Sequence, residues 1–390
     1  MTVAYPFNEA GSLDLHEAYR EAQKAEGMLR VRLPHGEPAW LATRYADARL
    51  VLGDKRFSRA MAADRDEPRM QAGRLTGGIL SMDPPEHTRL RTLVAKAFTV
   101  RRVEELRPRA RAIASGLVAD MKKAGPPADL VDAFALPLPV AVICELLGVP
   151  VADRPKFRVW SDNALSTTRL TAAEFMASRE EMRDYMRGLI AGHRAQPADD
   201  LMTALIEARD REDRLSELEL VDLCVGILVA GHETTASQIP NFVVTLLDHP
   251  SALARLRSDP SLIPGAVEEL MRFVPLGAGA GFPRYATEDV QVGDVLVRAG
   301  EPVVVAVGAA NRDALRFDDA DELRIDRPPA AHLGFGHGVH HCLGAALARM
   351  ELQEALRALL AGFPALHLAG DIEWKTEMIV RGPVTMPVGW

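Results

Sequence analysis

The chain has 390 residues, with 46 Lys and Arg against 54 Asp and Glu, a formal net charge of −8 and 48% hydrophobic residues. The acidic balance argues against nucleic-acid binding, while the hydrophobic content suffices for a large core, dominated by Ala, Leu and Val because aromatics are only 5%. Cys144, Cys224 and Cys342, the three cysteines, are spaced unlike a disulfide framework or zinc site, which implies a reducing compartment. No Gly/Ser-rich or charged linker divides the chain, so residues 1–390 read as one domain. The first residues include Pro6, Asn8 and Glu9, without the basic start and apolar core of a signal. The longest apolar stretch is cut by Gly231-His232-Glu233, so no membrane span is expected and the expected location is cytoplasmic.

In chain order, residues 28–42 form a first β-prone run. Residues 61–81, polar and rich in Gly and Arg, read as a mobile loop over a pocket. Helical patterns dominate from 85 to 272. In Asp83-Pro84-Pro85-Glu86-His87-Thr88-Arg89-Leu90-Arg91, His87 and Arg91 stand four apart on one helix face. Arg101, Arg102, Arg107, Arg109 and Arg111 crowd the next segment, where a solvated helix face is one reading. Ser216-Glu217-Leu218-Glu219 is a capping box, so a helix starting there and ending before Pro250 spans about 45 Å at about 1.5 Å per residue. Pro240 removes a backbone donor and should kink it. The same helix holds Ala230-Gly231-His232-Glu233-Thr234-Thr235, for which a polar interruption of a core helix is the plain alternative. Glu269 and Arg272, three apart, share a helix face and can form a buried ion pair. A second β-prone region covers 290–307, and a hairpin-like tail covers 374–388. The fold class is mainly α with small β-sheets at one edge.

The most informative stretch is Phe335-Gly336-His337-Gly338-Val339-His340-His341-Cys342-Leu343-Gly344, running into the helical Ala345-Ala346-Leu347-Ala348-Arg349. It sets a cysteine at a helix mouth, where unpaired N–H groups and the dipole favour a thiolate. Gly336, Gly338 and Gly344 lack a Cβ, so the loop can turn tightly and approach a flat macrocycle. Phe335 can shield the sulfur from water. Such a sulfur could be an axial ligand to iron, and a thiolate opposite an open coordination position favours O–O cleavage. For a lone cysteine, the alternative is a buried thiol capping an ordinary helix.

This stretch resembles the haem-binding signature of the cytochrome P450 family, Phe-Gly-x-Gly-x-His-x-Cys-x-Gly, with every fixed position present. The resemblance extends over nearly the whole chain, from Trp40-Leu41-Ala42-Thr43-Arg44-Tyr45 to Asn311-Arg312-Asp313 and Phe317; Ala314 departs from the family's usual Pro. It implies the cytochrome P450 fold, with haem b held between a long distal helix and a proximal cysteine loop. Cys342 would be the iron ligand, with Phe335, Gly336 and Gly344 around it. His87, Arg91, Arg284 and His340 would hold the haem propionates. Ala230 and Gly231 would leave room for oxygen and substrate, and Glu233 and Thr234 would form a catalytic proton relay. Arg327 would join Glu269 and Arg272 in anchoring the cysteine segment. Pocket walls would come from the 61–81 loop, Leu228, Ala230, Leu276-Gly277-Ala278-Gly279-Ala280, Ile379 and Val380, a small, apolar set suited to a bulky, partly hydrophobic molecule.

The activity so implied is that of a monooxygenase using molecular oxygen to hydroxylate or epoxidise a small molecule. Ala-Gly-His-Glu-Thr-Thr and Phe-Pro-Arg-Tyr-Ala-Thr-Glu-Asp resemble actinomycete enzymes that tailor macrolides and other polyketides in antibiotic biosynthesis. Electrons would come from a separate ferredoxin or flavodoxin with an NAD(P)H-dependent reductase, docking on the arginine cluster. Oxidative coupling or ring closure without oxygen insertion is an alternative sharing every motif. A non-enzymatic haem sensor is another, against which Glu233-Thr234 counts.

Overall fold

The capping box forms as its sequence dictates: Glu219 N–H donates to Ser216 Oγ at 3.2 Å, and Ser216 N–H donates to the Glu219 carboxylate at 2.7 Å. One helix then runs Glu217–Leu247, 31 residues, continuing through Pro240. The computed structural model describes residues 2–9, 11–25, 27–74, 77–167, 170–198, 200–210, 214–279 and 281–390.

Two apolar clusters divide this distal helix. Leu220, Leu223, Cys224, Ile227 and Leu228 pack with Ile143 of Pro137–Leu146, Met182 and Met186 of Ala172–Ala195, and Leu205. Ile239, Phe242, Val243 and Leu246 pack instead with Ala114 of Val100–Ala124, Val267 of Ile263–Phe273 and Leu356 of Ala345–Gly362. Each fully buried aliphatic side chain contributes roughly 1.5–3 kcal/mol, so both ends are fixed by packing. The polar motif from Ala230 to Gln238 lies between the two clusters.

The edge sheet has six strands in the order Thr2–Ala4, Leu29–Arg32, Ala39–Ala42, Pro302–Val305, Arg284–Ala286, Phe57–Ser58. Leu29–Arg32 and Ala39–Ala42 are antiparallel, as the 28–42 run anticipates, and Ala39–Ala42 pairs in parallel with Pro302–Val305. The 290–307 region also holds the hairpin Val290–Val292 and Val295–Val297. In the tail, Glu373–Trp374 pairs antiparallel with Pro383–Thr385. Strand Thr2–Ala4 was not anticipated, because three residues are too short to display an alternating pattern.

The 61–81 loop departs from expectation. Some of its described residues have fixed partners: Glu67 is buried against Arg59 at 3.3 Å, and Gln71 Nε2 donates to the carbonyls of Ala164 and Ser166 at 2.9 and 2.8 Å. Arg74 donates to the carbonyls of Ala62 and Ala63, both at 2.8 Å. Leu75 and Thr76 lie outside the described residues. Among the described residues, no helix is long and apolar enough to cross a membrane.

Candidate functional site

The cysteine loop is a series of tight turns closed on itself. Cys342 N–H donates to Phe335 O at 2.8 Å, Gly336 N–H to Leu333 O at 2.8 Å, and His341 N–H to Gly338 O at 3.0 Å. Gly336 and Gly338 both sit at φ +73°, and a Cβ on Gly338 would lie 2.4 Å from Leu52 O, so glycine is required there. Gly344 caps Ala345–Gly362 with an ordinary φ of −84° and open space where a Cβ would stand, so no backbone constraint demands it. Phe335 is buried, with the Arg349 guanidinium 4.3 Å from its ring centre.

Cys342 is a free, exposed residue, whereas Cys144 and Cys224 are buried in the core. The protein around Cys342 crowds its sulfur, and burial pushes the thiol up. The Gly344 N–H, Arg91 and Arg349 pull the other way without prevailing.

The anchor behind the loop is the predicted triad. Arg272 donates two 2.7 Å bonds to Glu269, and Arg327 Nε reaches both Glu269 oxygens at 3.1 Å. Arg272 also binds the carbonyls of Asn311, Ala320 and Glu322 at 2.9, 2.7 and 2.9 Å. Asn311 Oδ1 in turn accepts from Leu333 N–H at 2.6 Å, carrying the anchor into the cysteine loop.

Sequence reasoning missed a second brace. Glu268 accepts from Arg349 at 2.6 and 2.9 Å and from His332 Nε2 at 3.2 Å. These bonds outweigh its burial and hold its carboxyl at about 2, below the ordinary 4.5. The doubled acid in Glu268-Glu269 was the available signal. Glu268→Gln is expected to cost roughly 1–2 kcal/mol of stability at neutral pH, a hydrogen-bond-sized loss at a partly exposed site. Because the folded carboxyl is depressed, its contribution is complete above 4.5 and lost as pH falls toward 2. Thermal unfolding of parent and variant should therefore converge over that window; an unchanged gap at the acid end contradicts the assignment.

The four expected propionate ligands come together as two arginines and two histidines. The rings of His87 and His340 are 4.3 Å apart, and Arg91 donates to His341 O. Arg284 is buried, with one bond to Phe282 O at 3.2 Å. Burial, then Arg284, His87 and Arg59, push His340 down to about 3. Burial, then Arg59, push Arg284 down to about 9. His87 Nδ1 and His340 Nε2 are buried without a hydrogen-bond partner. Orphaned ring nitrogens beside the buried guanidiniums of Arg59 and Arg284 fit a dianionic group such as the haem propionates. Arg284→Ala should lower haem affinity about 10- to 100-fold, the equivalent of about 1.5–3 kcal/mol for a hydrogen bond to charge. The rate of haem transfer to an apo-globin acceptor reads this, and an unchanged rate removes Arg284 from the site.

On the distal helix, Gly226 and Ala230 are exposed and Thr234 is half-buried, although most positions around them are buried. At a spacing of four they form one stripe uncovered by protein. The proximal side lies close to it: Leu343 packs on the cluster containing Leu223 and Ile227. Glu351 of the cysteine helix is wholly buried, and burial pushes its carboxyl well up. Thr234 Oγ1 donates to Ala230 O at 3.0 Å.

Gly231 requires correction. A Cβ there would meet Ile143 Cδ1 at 2.6 Å, so its smallness lets the distal helix pack on Pro137–Leu146. Glu233 is buried and bound to Lys375 and Ser237. Leu228 also differs from expectation, being 1% exposed within the core cluster. The other expected walls do assemble: Arg381 N–H donates to Leu276 O at 2.7 Å, Ala278 N–H to Ile379 O at 2.9 Å, and Ile379 N–H to Leu165 O at 2.9 Å. Ala280 lies outside the described residues.

The arginine cluster is internally paired. Arg101 and Arg102 bind Glu105, Arg107 binds Glu104 and Glu354, Arg109 binds Glu145, and Arg111 binds Glu354. Its arginines thus present far less bare positive charge than the sequence implies.

Comparison with known proteins agrees with this geometry. Residues 162–378 match the family Cytochrome P450. The chain is 55% identical to the Mycinamicin IV hydroxylase/epoxidase of Micromonospora griseorubida, covering 99% of this chain and 98% of that protein. It is 51% identical to the Nocardicin C N-oxygenase of Nocardia uniformis subsp. tsuyamanensis, covering 100% and 99%. The crystal structure of HinD with NMFT and NO superposes with a TM-score of 0.97 at 50% identity, covering all of both chains. A cysteine loop braced from two sides, a cluster of arginines and histidines that fits propionates and a distal helix with an open stripe thus occur in a chain that belongs to the cytochrome P450 family and is a monooxygenase taking a haem.

Proposed function

We propose that the chain, acting as one 390-residue unit in the cytoplasm, hydroxylates or epoxidises a macrolide-type secondary metabolite. Separate ferredoxin or flavodoxin and NAD(P)H-dependent reductase proteins supply the electrons. The observation carrying the substrate class is the 55% identity, over nearly full length, to a protein named for mycinamicin IV. The small apolar residues of 276–279 and 379–380 support a roomy, weakly polar pocket.

When bound, haem b supplies the activation of molecular oxygen and the transfer of one oxygen atom to substrate. Cys342 Sγ would hold its iron, with Phe335 shielding the sulfur from water. His87, Arg91, Arg284 and His340 would hold its propionates. Gly226 and Ala230 keep their stripe of the distal helix free of side-chain bulk. Thr234 Oγ1 holds a proton for transfer at that stripe, and the Glu233 carboxylate, one residue away, replenishes it.

Titration of the purified ferric protein with macrolides, with and without sugars, followed by mass analysis of turnover products, tests the substrate class. A saturable Soret shift and a product one oxygen atom heavier are expected. A shift with no macrolide, or a product that has only lost hydrogen, overturns the reading, the second in favour of oxidative coupling.

A further inference from the structure

The relay carboxylate is already occupied. Lys375 Nζ pairs with Glu233 Oε1 and donates to Ser237 Oγ at 3.0 Å, while Ser237 Oγ lies 3.5 Å from the same oxygen. Glu233 and Ser237, four apart, present one helix face to this ammonium. The Glu233 side chain is 3% exposed and that of Lys375 is 12% exposed, so the lysine is the wetter end of the pair. Its backbone is fixed too. Lys375 N–H donates to Gly382 O at 2.9 Å, and a Cβ on Gly382 would stand 3.3 Å from Ser237 Cβ and Asn241 Oδ1, so this hairpin lies directly on the distal helix. His232, beside Glu233, turns the other way and bonds Leu228 O through Nδ1 at 2.8 Å.

We propose that Lys375 is the group through which Glu233 regains protons from water, an inference that rests on reading Glu233 and Thr234 as the catalytic pair. When Glu233 has passed a proton toward Thr234, an N–H bond of the Lys375 ammonium breaks and an O–H bond forms at Glu233 Oε1. The neutral amine then takes a proton from hydronium at its exposed edge, leaving water and restoring the ammonium, so that one proton passes from solvent to Glu233 in each cycle. An arginine in its place would keep the ion pair but hold its protons. Lys375 acts through Glu233 and is a positioning and proton-supplying residue.

The test compares Lys375→Arg, Lys375→Met and Glu233→Gln in the haem-loaded protein. Lys375→Arg should retain haem content, thermal midpoint and ligand-induced Soret shift, yet lose at least ten-fold in coupled turnover and show a larger solvent deuterium isotope effect. The infrared spectrum of the resting protein gives a readout independent of turnover. Lys375→Met should gain a protonated-carboxyl band, absent in Lys375→Arg and abolished in the Lys375→Met/Glu233→Gln double variant. Parental turnover and isotope effect in Lys375→Arg would reduce the lysine to a charge anchor and overturn the inference. If Glu233→Gln is impaired while Lys375→Arg is not, only this inference fails; if Glu233→Gln turns over like the parent, the catalytic pair fails first. Should Lys375→Met not fold, Lys375→Arg alone decides.

Discussion

Arg272→Ala is expected to yield a chain that neither folds stably nor retains haem. The side chain is 2% exposed and makes two bonds to Glu269 and one each to the carbonyls of Asn311, Ala320 and Glu322. Its removal leaves Glu269 buried with Arg327 and the Arg324 N–H as its remaining partners and takes the guanidinium from the carbonyls of Asn311 and Ala320, while Glu322 O keeps Arg327. Breaking a buried pair costs about 3–5 kcal/mol, and each stranded polar group adds about 1–3 kcal/mol, against a total stability of about 5–15 kcal/mol. The damage falls on the cysteine loop, because Asn311 also holds Leu333 N–H. Arg272→Lys should fail nearly as badly, since a single ammonium cannot reproduce the fork. Urea unfolding and haem content at purification are the measurements; a variant within about 0.5 kcal/mol of the parent, the ordinary scatter of surface substitutions, would refute the anchor.

Thr234→Ala should leave fold, haem and ligand binding intact and destroy economy of electron use. Its hydroxyl is spent on Ala230 O, four residues back, a local bond that does little for helix stability. A positioned proton donor contributes about 10²–10⁴-fold to a reaction step, so product formed per NAD(P)H consumed should fall by about ten-fold or more, with electrons appearing as hydrogen peroxide in solution. Thr234→Ser should recover most of the loss. Unchanged coupling in the alanine variant would remove Thr234 from the relay.

Local features were legible in the sequence. The capping box at Ser216, the glycine turns before Cys342 and the Glu269–Arg272 pair involve neighbours within a few residues, where helix and turn geometry fixes which groups meet. What sequence did not reveal is tertiary. Lys375 lies 142 positions from Glu233 and Arg349 lies 81 from Glu268, with no period to join them. Gly231 was misread because Ile143, its neighbour in space, is set by helix packing. The 61–81 loop had a mobile composition, yet Glu67 and Gln71 found partners that only the folded chain supplies.

The measurement that bears most directly on the account is the carbon monoxide difference spectrum of the dithionite-reduced protein, beside Cys342→Ser. A far red-shifted Soret band in the parent, lost in the variant while haem stays bound through the His87, Arg91, Arg284 and His340 cluster, is the predicted result. An imidazole-like band in the parent, or a red-shifted band that survives in Cys342→Ser, would contradict the assignment of Cys342 as the iron ligand and the oxygen chemistry built upon it.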